Sequence, residues 1–292
     1  MRENNKLGLL FVSPFIIGSI IFFIFPVLFS GYISFTKWDL FNAPVWVGLK
    51  NWMDMTKEPA FWKSFRNVFF FALVFVPLQT IFAAVVAYLL NQSIRGKAFY
   101  RVLYFLPVVT PWVAGAIVWQ SLYNPEFGII NWVLKFFNLG SSQWVFSDNW
   151  WVVIGSVAFM NVWKGLGQSM VMFLAGMQNV SGDVIEAAHI DGASKAQIFR
   201  KIVVPIISPM TFMVMILSTI SAFAAFDVFL TMFDVFNMKE DIAVVNLLIY
   251  RDAFLNSKMG SASSMAWALF MVILVITIIQ KKFEKRWVHY EN

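Results

Sequence analysis

The side chains that could do chemistry in this chain are polar groups stranded inside long apolar runs. Asn161, Lys164, Gly165 and Gln168 recur at i, i+3/i+4 and i+7, which places them on one face of a helix. A later apolar run carries Ser218, Ser221 and Asp227. Polar groups in such runs are costly unless paired or hydrated, so each needs a partner. The amides of Asn161 and Gln168 suit either a polar solute or a neighbouring helix. For the hydroxyls of Ser218 and Ser221 the neighbouring helix is the simpler partner. Lys164 needs a counter-charge, and Asp227 is the carboxylate available inside the runs. An ion pair between them is expected, with an anionic solute as a second use of Lys164. No catalytic group set accompanies these residues. There is no cysteine, the histidines His189 and His289 are far apart, and no nucleotide loop GxxxxGK[ST] occurs, since Gly96-Lys97 lacks both the upstream glycine and the hydroxyl residue. This argues against an enzyme, a resident metal and a bound cofactor.

The elements that hold these groups follow from composition. Of 292 residues, 60% are hydrophobic and 13% charged, a surface no soluble domain of this length could keep in water. Six apolar runs, at 7–35, 64–90, 102–123, 150–177, 202–230 and 261–280, are each long enough for a membrane-crossing helix of about 20 residues. The expectation is an all-α polytopic membrane protein, with one transmembrane domain over 1–292. The first run follows Arg2 and Lys6 but is too long for a signal peptide and lacks a small-residue cleavage site, so it is read as an uncleaved span. With the N-terminus inside, the inner segments hold twelve Lys/Arg against six Asp/Glu, and the longer outer ones eight against nine. That bias places both termini and the loop 178–201 in the cytoplasm. The net charge of +6 tracks span ends and forms no patch for nucleic acid. Prolines 14, 26, 77, 107, 111, 205 and 209 fall inside the runs and predict kinks or breaks, tolerated where protein or a hydrated cavity satisfies the freed backbone. Most tryptophans fit interfacial belts.

The loop continues into residues 186–209, EAAHIDGASKAQIFRKIVVPIISP. Ala187, Ala188 and Ala193 favour helix and let a partner surface come close. Gly192 permits the left-handed turn between two short helices, and Asp191 tolerates it. Glu186 is expected early in the first helix, where a carboxylate suits the N-terminus. Ile185, His189, Ile190, Ile198, Phe199 and Ile202 give anchors at helical spacing, as for a helix laid in a groove.

The spacing of Glu186-Ala187-Ala188, Asp191-Gly192-Ala193, Phe199, Pro205 and Pro209 resembles the EAA loop of membrane subunits of binding-protein-dependent ATP-binding-cassette importers. Gly48-Leu49-Lys50-Asn51-Trp52, Arg95–Arg101 with Phe105-Leu106-Pro107, and Tyr250-Arg251 through Gly260 and Ala262-Ser263 resemble further elements of that family, so the likeness covers nearly the whole chain. It points to the carbohydrate branch and to a subunit like the first maltose-type permease, whose C-terminus often ends like Lys285–Tyr290. Two departures stand out: Val180-Ser181 replaces an Ile-Pro, and Thr231-Met232-Phe233-Asp234 replaces a Thr-Gly-Gly-Pro. The resemblance implies a non-catalytic carbohydrate permease in a bacterial-type cytoplasmic membrane. It would pair with a homologous second permease and two ATPases that hold ATP and Mg, and take solute from an extracytoplasmic binding protein. The loop, through Glu186, Ala187, Ala188, Asp191, Gly192, Ala193 and Phe199, would couple to the ATPases. Asn161 and Ser218 fall about where the family contacts sugar, and Trp119, Trp163 or Trp267 could stack on a sugar ring. The rival reading, an ion-driven secondary transporter, would need several in-membrane carboxylates and often inverted repeats, but only Asp227 qualifies. A non-transporting scaffold would need neither the loop spacing nor Lys164.

Overall fold

The computed structural model describes residues 2–92, 94–233 and 241–288. Asp234 and the terminal His289-Tyr290, both used above, lie outside the described residues.

Helix α1 (Arg2–Ser19) runs through a π turn at Ile20–Ile24 into α2 (Phe25–Ile33). Pro26 accounts for the turn. It has no N–H for the carbonyl four residues back, and the ladder resets with Phe25 N bonding Ile20 O. A two-residue antiparallel ribbon follows, β1 (Thr36–Lys37) with β2 (Val45–Trp46). Then come α3 (Lys50–Lys57), α4 (Pro59–Asn91), α5 (Lys97–Val109), α6 (Trp112–Leu122), α7 (Ile129–Phe136) and α8 (Trp150–Met177). After α9 (Gly182–Ile190) and α10 (Lys195–Ile198), a π turn leads to α11 (Val204–Ile206) and α12 (Ser208–Phe223). The chain ends with α13 (Asp227–Met232), α14 (Val245–Tyr250) and α15 (Met259–Trp287).

Among the described residues, three helical stretches are long and apolar enough to cross a membrane by length and composition: Leu10–Ile33, Pro59–Asn91 and Met259–Trp287. Two bent pairs raise the number to five if each is one span. Where prolines predict kinks or breaks, the run 102–123 is α5 and α6, 103° apart around Thr110-Pro111, and 202–230 is broken by 72° at Ile207. Helix α8 matches the expected 150–177 but is not among those stretches; it carries Asn161, Lys164, Gln168 and Ser169 within its run. The six-span count is therefore a reading of the sequence. Pro77, in contrast, stays inside an unbroken α4.

The chain forms two compact units. The first comprises residues 1–62 and 245–271. Its ribbon is fastened by Asn51, whose Nδ2 donates to Ser34 O at 2.9 Å and Thr36 O at 2.8 Å. Gly260 lies against the Thr36 carbonyl and the Asn51 amide, leaving no room for a Cβ. Trp267 packs on Gly31 and donates its indole N–H to Ser30 Oγ at 3.1 Å. The second unit comprises residues 63–244 and 272–292. Its core joins α4, α8 and the loop helices through Ala83, Ala87, Met170, Phe173, Ile198 and Val203. Trp119, Tyr123, Phe159 and Trp163 form an aromatic cluster beside it. Helix α5 packs along α8, and α6 along α13.

Candidate functional site: a polar cavity and a surface loop

Helices α4, α8 and α12, with the start of α13, enclose a cavity of about 330 Å³. It gathers six of the expected residues: Asn161, Gly165 and Gln168 from α8, Ser218 and Ser221 from α12, and Asp227. The helical spacing on α8 thus does place its polar groups on one wall. Asn161 is buried and its Nδ2 donates to Val157 O at 2.8 Å, one turn back, which leaves its amide oxygen and second N–H for another partner. Asp227 does not lie within the α12 helix. The chain breaks after Phe223, and Asp227 opens α13, where the helix dipole favours a carboxylate.

Lys164 stands apart from this wall, and the expected ion pair with Asp227 does not form. The ammonium donates to three backbone carbonyls: Pro107 O at 2.6 Å, Val108 O at 3.1 Å and Thr110 O at 2.5 Å. An ammonium has three protons, and all three are used. The reason lies in α5. Pro111 has no N–H for the Pro107 carbonyl four residues before it, which keeps only the bond from Thr110 N at 3.2 Å, and the chain turns away before the carbonyls of Val108 and Thr110 find backbone donors. Lys164 supplies the missing donors, and the negative end of α5 offsets its charge. Its Nζ also sits 5.1 Å from the ring centre of Trp112.

The aromatic residues expected to stack on solute do other work. Trp119 and Trp163 are locked edge-to-face in their own cluster, and Trp267 packs on Gly31. The aromatic groups that line the cavity are Trp112, Phe75 and Phe226. Sequence reasoning also missed Gln79. This residue lies on the cavity wall, is almost wholly buried, and donates Nε2 to Ser169 Oγ at 2.9 Å. Its Oε1 is buried with no partner. The signal was present, since Gln79 is a lone amide in the middle of an apolar run.

The loop takes the expected helix–turn–helix form. Gly192 has φ +77°, and Ala193 N closes back on Ala188 O at 2.9 Å, which ends α9. Glu186 is not at the N-terminus of α9. Ser181 caps that end by accepting from Asp183 N, and Asp183 is the first-turn carboxylate. Ser181, where the family has proline, thus starts the helix by side-chain capping. Ser194 and Gln197 form a reciprocal capping box on α10. Glu186, Ala187, Asp191 and Gly192 are exposed, as is Ile190, at 86%. The expected anchors divide between two faces. Ile198 is buried in the core, and Phe199 packs on Tyr88 with ring centres 4.5 Å apart and the planes tilted by 51°, so these two hold the loop to α4. Ile185, Ala188, Ala193 and Ile202 pack half-buried on the same core.

The chain matches the profile of the binding-protein-dependent transport system inner membrane components over residues 79–289. It is 36% identical to a probable ABC transporter permease protein, YesP, of Bacillus subtilis, over 100% of this chain and 94% of that protein. It is 30% identical to the trehalose/maltose transport system permease protein MalF of Thermococcus litoralis, over 77% of this chain and 76% of that protein. A solved bacterial alginate ABC transporter, in complex with an alginate pentasaccharide-bound periplasmic protein, contains a chain that superposes with a TM-score of 0.83. The identity there is 18%, over 97% of this chain and 96% of that chain. The helical architecture and the matched region agree, and this chain belongs to the binding-protein-dependent inner membrane components, the permeases of ABC transporters.

Proposed function

We propose that the chain is one of two homologous permease subunits of a carbohydrate importer, and that it forms one wall of the pathway for an oligosaccharide. The observation that carries this is the cavity. Its amides and hydroxyls, Asn161, Gln168, Ser218 and Ser221, suit sugar hydroxyls, and Trp112 offers a flat apolar surface to a sugar ring. The names of the relatives, for trehalose, maltose and alginate transport, support the same solute class. Solute would arrive on an extracytoplasmic binding protein, and two cytosolic ATPases would bind ATP and Mg. Six spans with both termini inside would put the loop 178–201 on the ATPase side, where Glu186, Ala187, Asp191 and Gly192 form its exposed face. Closure of the ATPases would move α9 and α10, and with them the core they are packed on. Among the described lining residues the cavity has a carboxylate, Asp227, and no lysine or arginine. An acidic oligosaccharide would therefore have to find its cations on the second permease, because Lys164 is committed to carbonyls.

The test is ATP hydrolysis by the reconstituted complex as sugar-loaded binding proteins are added. Wild type should be stimulated. Gly192→Pro and Glu186→Lys should assemble yet lose stimulation. Equal stimulation in the variants would remove the loop from coupling. If no ATPase co-purifies, the importer reading fails.

A further inference from the structure

We propose that Lys164 is a positioning residue: by clamping the corner between α5 and α6 it holds the indole of Trp112 as the aromatic wall of the solute cavity. The inference rests on reading that cavity as the solute pathway, but its geometry is independent of which solute passes. Pro111 forces the residue before it out of helical geometry, and Thr110 is extended at ψ 134°. The break leaves the Val108 carbonyl without a backbone donor and the Pro107 carbonyl with only the Thr110 N–H at 3.2 Å, and it turns the Thr110 carbonyl toward the same point. In an apolar setting these groups cannot be left bare. The Lys164 ammonium takes all three, at 2.5 to 3.1 Å, and is itself buried at 4% exposure.

Trp112 is the first residue of α6, so its backbone direction is fixed by the same corner. Its ring also sits over the ammonium at 5.1 Å, a cation–π contact strengthened by burial. The ring is 40% exposed and lines the cavity. One cation thus sets both where α6 begins and which way its first side chain faces. This explains why a lysine without a carboxylate partner is kept on the polar face of α8. Its neighbour Gly165 lines the cavity directly, whereas Lys164 reaches the cavity through Trp112.

This chain has no cysteine, so a single reporter read on its own band carries no background from the chain itself. Ser221→Cys lies on the cavity wall, and Ser141→Cys on the exposed loop between α7 and α8 serves as control. Labelling by a membrane-impermeant methanethiosulfonate is measured in the assembled complex. Lys164→Met and Trp112→Leu should each raise the Ser221→Cys rate by a similar factor, about three- to tenfold. The double variant should rise no further, because both changes remove the same wall. The Ser141→Cys rate should not change. An unchanged Ser221→Cys rate in Lys164→Met, or multiplying effects in the double variant, would overturn the proposal. Should Lys164→Met fail to assemble, Trp112→Leu with the clamp intact decides: no change in labelling overturns the wall. Labelling needs no transport, so failure of binding-protein stimulation would sink the importer reading and leave this result standing.

Discussion

Gly155, Gly165 and Gly167 share one helix, but a methyl group would meet something different at each. At Gly167 it would come within 2.5 Å of Tyr104 O and 2.8 Å of Phe105 Cα, where the backbone of α5 lies against α8. At Gly165 it would reach 3.1 Å from Gln79 Nε2, the end of a side chain that can shift. At Gly155 it would meet nothing within 4 Å. Backbone cannot yield as a side chain does, so the order of damage is fixed. Gly167→Ala should destabilise by about 1–3 kcal/mol or fail to assemble. Gly165→Ala should assemble with altered uptake through the displaced Gln79, and Gly155→Ala should behave as wild type. Thermal unfolding of purified complexes checks the ranking, and equal melting of all three would refute it. The same contrast of buried against exposed groups applies beside α4. Buried Asn67 donates to Asp241 O and Ala243 O, each at 2.8 Å, while Lys63 pairs with exposed Asp241 at 3.0 Å. Asn67→Ala should cost about 1–3 kcal/mol by leaving two carbonyls bare. Asp241→Asn should be barely measurable. Lys63 lowers the Asp241 carboxyl below the usual carboxylate range, first by hydrogen bonding to it and then by its charge. Whatever that pair adds is present at neutral pH and is lost only as pH falls through the lowered pKa. Unfolding of the wild type at pH 7 and pH 5 should therefore show no loss from this pair.

At the scale of elements, the corner between α5 and α6 makes a stricter demand. Lys164 is needed because Pro111 removes the helical donor for the Pro107 carbonyl, which is left with Thr110 N at 3.2 Å, and because the corner leaves the Val108 and Thr110 carbonyls to the ammonium. Pro111→Ala restores an N–H at that position and relieves Thr110 of its restriction. In a Lys164→Met background it should recover part of the lost assembly, whereas alone it should alter the cavity wall by letting α6 straighten. Assembly yield of the single and double variants checks this, and no recovery in the double would mean that the carbonyls are not what Lys164 serves. The run of apolar residues and the prolines 107 and 111 were enough to foresee a helix that kinks there, and the i, i+3/i+4, i+7 spacing was enough to foresee the polar wall of α8. The carbonyl clamp was not legible. Opposite charge is visible in sequence, but three stranded carbonyls carry no residue identity and exist only once the corner has formed. For the same reason Trp112 was passed over in favour of Trp119, Trp163 and Trp267, since which of many tryptophans faces a cavity depends on where helices break. Gln79 could have been found by the rule that singled out Gln168. Glu186 was misplaced by assigning the start of α9 to the motif instead of to its cap, Ser181.

At the scale of the whole molecule, the distribution of lysine and arginine predicts a direction, and the loop supplies a face on which to test it. The exposed side of α9 and its turn carries Ile190 at 86% exposure and Val184 at 46%, next to Ala187 and Gly192. Apolar groups displayed beside small residues leave room for another backbone to approach, whereas the other side of the loop is tied to the core by Ile198 and Phe199. Two single-cysteine variants separate these sides in one experiment. Ile190→Cys should react with a membrane-impermeant maleimide in inside-out vesicles and not in right-side-out ones, as twelve Lys/Arg against six Asp/Glu on the inner segments require. Its labelling should fall when the ATPase subunits are present and return when they are stripped. Ile198→Cys, at 3% exposure, should stay unlabelled in every preparation. Reaction of Ile190→Cys from the outer face would invert the topology and exclude a cytosolic partner. Reaction from the inner face that is indifferent to ATPase would keep the topology but show that the exposed side of α9 is not the surface the ATPase covers.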